Sequence, residues 1–130
     1  MDRTSLVEHL AFSSSLLLRE CCERVREALR LPDFHYDSEN ETEWGLVEVD
    51  NIEYNVSRPF EEGTLYEWDE TVPPGCNFGV SLIVYREHPR AGNHDWAIEA
   101  LVKPFIERVA PVINVPIHHH RTWTPSKASP

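Results

Sequence analysis

The chain is short of positive charge. Twelve Lys and Arg stand against 22 Asp and Glu in 130 residues, a formal net charge of −10. Nucleic-acid binding needs cations to neutralise phosphates, and anionic membranes attract basic segments, so neither partner is expected. Long apolar runs are missing too. The run from Leu10 to Leu18 is interrupted by three serines and closed by Arg19-Glu20. It falls short of the ~20 apolar residues of a membrane span and lacks the small-residue cleavage site of a signal peptide. Cysteines number only three, and adjacent Cys21 and Cys22 on a helix are poorly placed to bridge each other. Without CxxC or zinc-knuckle spacing, these read as reduced thiols of a cytoplasmic protein. Glycine-rich phosphate loops and a GxSxG elbow are absent.

What is present is enough for one domain, read as residues 1–123 followed by a frayed tail over 124–130. The excess negative charge is concentrated. Residues 33 to 70 hold thirteen acids and one base, Arg58, for a local charge of −12, while the rest of the chain is +2. The same window carries Phe34, Tyr36, Trp44, Tyr54, Phe60, Tyr66 and Trp68. Some of these rings belong to the core. Others are the aromatic anchors that protein interfaces place within a charged rim.

The patterns predict an α+β fold: an N-terminal helix, a mainly antiparallel sheet of three to five strands, and a C-terminal helix packed on one face. The helix is expected over residues 5 to 30, with Ser5 and Glu8 at capping-box spacing and Pro32 ending it. Trp44–Val49 and Ile52–Ser57 flank Asp50-Asn51, a pair that tolerates the positive φ of a tight hairpin turn. In that register Val49 faces Ile52, Val47 faces Tyr54, and Glu48, Glu53, Asn55 and Ser57 share the opposite face. Phe78–Tyr85 is apolar on both faces and reads as a central strand. A second helix starts at Asn93 or Asp95 and runs towards Val109, kinked or divided at Pro104, and Val112–Ile117 reads as a last edge strand.

Three places offer chemistry. The long connection from Arg58 to Asn77 contains the densest distinctive patch, and Glu61, Glu62, Tyr66, Glu67, Trp68, Asp69 and Glu70 are its candidate partner-binding residues. Trp68 serves either as an anchor for that partner or as a core residue pinning the loop. Arg58, alone among acids, is assigned a structural ion pair with nearby carboxylates. In the run His118-His119-His120, alternation on a strand lets only His118 and His120 converge, so a metal would need a third ligand from elsewhere. No catalytic residue and no cofactor is assigned.

In size, acidity and lack of a catalytic constellation, the chain resembles the small immunity proteins that bacteria keep against their own secreted toxins. EEGTLYEWDE at 61–70 and the acidic hairpin at 41–55 carry this resemblance, which is one of type and points to no particular family. It implies an acidic patch covering the basic active site of a toxin, and it transfers no functional residue. The expected function is therefore an acidic protein-binding module, an immunity-type inhibitor of a basic partner such as a secreted toxin. The alternative is a small metal-dependent enzyme using His118, His120 and nearby carboxylates.

Overall fold

A computed structural model describes residues 3–61 and 65–125. The fold is α+β, with six strands in one antiparallel sheet and the longer helices packed on one side. In chain order the elements are β1 (Thr4–Phe12), α1 (Leu18–Leu29), β2 (His35–Ser38), β3 (Thr42–Val49), β4 (Ile52–Pro59), α2 (Leu65–Trp68), β5 (Phe78–Tyr85), α3 (His94–Ala97), a π turn (Ile98–Val102), α4 (Lys103–Ile113) and β6 (His118–Trp123). Across the sheet the order is β2-β3-β4-β5-β1-β6. Among the described residues, no helix is long and apolar enough to cross a membrane.

The hairpin forms in the expected register. Val49 pairs with Ile52 and Val47 with Tyr54, and Asp50 and Asn51 adopt φ of 51° and 65° at the turn. Val47, Val56, Val80, Leu82, Leu6 and Leu10 turn towards α1 and α4 and build the main core with Val25, Phe105 and Val109. Phe12 and Phe78 stack 5.0 Å apart at the adjoining ends of β1 and β5. Among the described glycines, Gly45 is where packing leaves least room for a side chain. A Cβ there would lie 2.9 Å from the Tyr36 ring and 3.0 Å from Cys22 Sγ.

Four expectations are corrected. The helix expected over 5–30 is helical only from Leu18, because residues 4–12 form β1 between β5 and β6. That strand also takes the sheet to six strands, beyond the three to five expected. Ser5 caps no helix: its hydroxyl accepts the Gly92 N–H at 2.7 Å. The actual start is stabilised by Glu20, whose carboxylate accepts the Leu17 N–H at 3.0 Å. Arg30 then leaves the helix at φ 56°, just before Pro32. Finally, Val112 and Ile113 are the last residues of α4, which stops at Asn114 (φ 60°), so the edge strand lies further on, at 118–123.

Asn93 caps α3 by accepting the Trp96 N–H at 3.0 Å. Pro104 does not divide the helical segment. The Lys103 N–H reaches back to the Ile98 carbonyl, giving a widened π turn just where a proline ring would crowd a regular one.

Because paired residues share a face, the sheet has two distinct sides. One lies under the helices. The other carries Glu48, Glu53, Asn55 and Ser57 as expected, together with Trp44, Leu46, His9, Ser81 and Ile83. The connection between β4 and β5 folds over one end of that second side. Leu65, Val72 and Cys76 pack there on Ala11 as a separate small core.

Candidate protein-binding cleft

The β2–β3 turn and the β4–α2 connection stand side by side at one end of the sheet. Backbone pairing brings them there: the Phe60 N–H donates to the Glu41 carbonyl at 3.0 Å, and Glu39 N–H to the Thr42 carbonyl at 2.8 Å. Between them lies a cleft of about 490 Å³ lined by Asn40, Glu41, Phe60, Glu61, Glu67 and Trp68. It adjoins a second concavity of about 390 Å³ that shares Asn40, Glu41 and Trp68 and adds Glu39.

Its aromatic residues are unusually open. Trp68 is 60% exposed, Phe60 55% and Tyr66, just outside the cleft, 46%. Burying such rings against water is favoured by ~25 cal/mol per Å² of apolar surface, so leaving them exposed forgoes stabilisation that a partner can recover. Trp68 therefore does not pin the loop; Leu65, Val72 and Cys76 do that. Glu67 and Glu70 are exposed. Glu61 is exposed and lines the cleft, whereas Glu62 lies outside the described residues.

Asp69 has a different position from its neighbours. Its Oδ1 accepts from the Thr71 hydroxyl at 2.6 Å and the Thr71 N–H at 3.0 Å, and its Oδ2 accepts from Arg121 Nε at 2.8 Å. Burial pushes this carboxyl up, but the bonds from Thr71 and Arg121 outweigh it and hold it down at about 2. Asp69 thus ties the α2 loop to β6. Arg58 faces Glu43 across the β3–β4 ladder at 3.9 Å, a loose pair, with its guanidinium 5.8 Å from the Phe78 ring centre.

No protein-family model, curated protein or solved structure matches the chain. The cleft is thus read from its own geometry.

The histidine run is split between the two sides of the sheet. A register shift in the β1–β6 ladder puts His119 opposite Leu10 on the helix side and His118 opposite Ala11 on the other. His119 Nε2 donates to Glu8 Oε1 at 2.8 Å, and His120 Nδ1 lies 2.8 Å from Thr71 Oγ1. Among the described residues, no three His, Cys, Asp or Glu side chains are arranged to hold a metal ion.

Two constellations lay outside the sequence reading. Glu8, 0% exposed, accepts from His119, from the Thr122 hydroxyl at 2.5 Å and from His94 Nδ1 at 2.8 Å. On the opposite side His9 lies beside His120, their ring centres 6.2 Å apart. The signal for both is Glu8 and His9 side by side in an otherwise apolar segment, of which capping-box spacing accounts for the glutamate alone.

Proposed function

We propose that this protein is a binding module for a basic protein, an immunity-type inhibitor whose contact surface is the acid–aromatic cleft. One observation carries the reading: Trp68 and Phe60 stand largely exposed in a cleft edged by Glu39, Glu41, Glu61 and Glu67. Aromatic anchors slow dissociation, while surrounding carboxylates steer a cationic partner and raise the association rate. The Asp69–Arg121 pair supports the reading by giving α2 a fixed seat, so less loop freedom is lost on binding. Three buried cysteines with no disulfide are compatible with the cytoplasmic setting such an inhibitor occupies.

The test is affinity capture from the native lysate with wild type, Trp68→Ala and Glu41→Gln/Glu67→Gln, after thermal unfolding has shown all three folded. The wild type should retain a basic protein. Trp68→Ala should weaken retention by ~30-fold, the effect of losing a ~2 kcal/mol anchor. The double glutamine variant should lose the salt dependence of capture. Equal retention by all three proteins would move the interface elsewhere.

A further inference from the structure

The sheet face turned away from the main helices holds a further concavity, beside the α2 loop, and its chemistry is opposite to that of the rest of the molecule. It measures about 190 Å³, and its polar lining is His9 from β1, Ser57 from β4, Ser81 from β5, His120 and Arg121 from β6, and Asp69. Leu65 and Val72 form an apolar rim. In a protein of net charge −10, three cation-capable side chains converge here on one space.

Hydrogen bonds define how these groups are set. Thr71 has one hydroxyl proton, and the Asp69 carboxylate takes it at 2.6 Å. His120 Nδ1, 2.8 Å from the same oxygen, must therefore be the donor, which places its proton on Nδ1 and leaves Nε2 to accept one. His9 Nδ1 lies 3.3 Å from Ser81 Oγ. Arg121 gives Nε to Asp69, so among the described residues its terminal N–H groups remain for a ligand. The single carboxylate in the lining is already engaged by Thr71 and Arg121.

We propose that this concavity is a binding site for a tetrahedral oxyanion of the phosphoryl or sulfate type, held by Arg121, His9, His120 and the Ser81 hydroxyl, the Ser57 hydroxyl being given to the Gly79 carbonyl at 3.4 Å. The donors rise from β1, β5 and β6 on one face of the sheet, with the α2 loop beside them, so the space offers several separated donors of the kind the oxygens of a phosphoryl or sulfate group require. The electrostatics agree. Burial, reinforced by the positive neighbours Arg121 and His120 and opposed by Asp69 and Glu8, lowers His9 to about 4. Burial also lowers His120, with Asp69 opposing and Arg121, His119 and His118 reinforcing. Mutual repulsion of this kind is relieved when an anion sits among the groups, so binding takes up protons and strengthens as the pH falls. This site stands independently of the cleft.

Sulfate is the probe of choice because its charge stays constant through the histidine range. The full chain is titrated by NMR on its histidine ring protons, with sodium sulfate and with sodium chloride at matched ionic strength. Sulfate should raise the titration midpoints of His9 and His120, leaving exposed His35 unmoved, and should bind about tenfold more tightly near pH 5 than near pH 7. Arg121→Gln should abolish the response. Ser81→Ala, which leaves the Asp69–Arg121 pair in place, should weaken it several-fold. Inorganic phosphate and O-phosphoserine then separate a free ion from a phosphorylated side chain as the preferred source; tighter binding of either supports the site. Equal effects of sulfate, acetate and chloride, or a sulfate response unchanged in both variants, would overturn the proposal.

Discussion

Replacing Glu8 is the most informative perturbation of the fold. Its carboxylate lies under the helices with no exposed surface and receives three donors: His94 from α3, and His119 and Thr122 from β6. Glu8→Ala removes the acceptor and leaves three polar groups facing a small void. Losing three hydrogen bonds to one buried acceptor, with a cavity left in its place, costs ~3–5 kcal/mol, a large part of the ~5–15 kcal/mol that holds a typical domain folded. For a chain of this size that lowers the melting temperature by ~10–20 °C. Glu8→Gln keeps the shape. Its carbonyl can still accept from His119 and Thr122, while its amide faces His94 Nδ1, which becomes an acceptor once its proton moves to Nε2. That variant should lose only ~1–2 kcal/mol. Urea and thermal unfolding at neutral pH measure both. An alanine variant within ~0.5 kcal/mol of wild type would refute the account of β1, α3 and β6 as tied through this carboxylate.

Gly45→Ala should destabilise by ~1–3 kcal/mol in the same assay, because the new methyl group must displace the Tyr36 ring and Cys22 Sγ. Asp69 contributes a pH-dependent increment. Its folded carboxyl, at about 2, lies below the ordinary 3.8, so the contribution is complete above pH 4 and is lost as the pH falls through 2. The stability difference between wild type and Asp69→Asn should therefore be ~2 kcal/mol near neutrality and vanish in strong acid, as unfolding across that range will show. Burial pushes the Cys21 and Cys22 thiols up to about 12. A thiol reagent at mildly alkaline pH should consequently label them only after denaturant is added.

The parts legible in the sequence were those where one local rule had no rival. Asp50-Asn51 between alternating strands specified a hairpin and its register, and Phe78–Tyr85 specified an interior strand, buried on its helix face and half-buried on the other. Residues 4–12 also carry apolar residues on both faces, but Leu6, Val7, Leu10, Ala11 and Phe12 are spaced so that a helical stripe fits them as well. Ser5 and Glu8 then imitate a helix cap, although one binds the Gly92 backbone and the other the histidines. Only partners distant in the chain decide between the two conformations. The cleft was half legible for a related reason. Charge and aromatic content marked Glu61, Glu67 and Trp68, but Glu39 and Glu41 join them through strand pairing that composition does not encode. Asp69, counted among the acids of the surface, belongs to a clamp because Arg121 reaches it from the last strand.

The placement of β1 has a consequence for how the protein is made. This apolar strand is synthesised early, yet the strands that flank it begin only at residues 78 and 118. At ~5–20 residues per second, it waits several seconds on the ribosome before β5 emerges and longer before β6 does. During that interval Leu6, Val7, Leu10, Ala11 and Phe12 have no native sheet to enter, and the ladder partners of Glu8 do not yet exist. The β3–β4 hairpin, whose contacts are local, can assemble meanwhile. Nascent chains of this protein should accordingly depend on chaperones that shield an exposed β1, and slowed translation between β1 and β5 should lower the yield of folded protein.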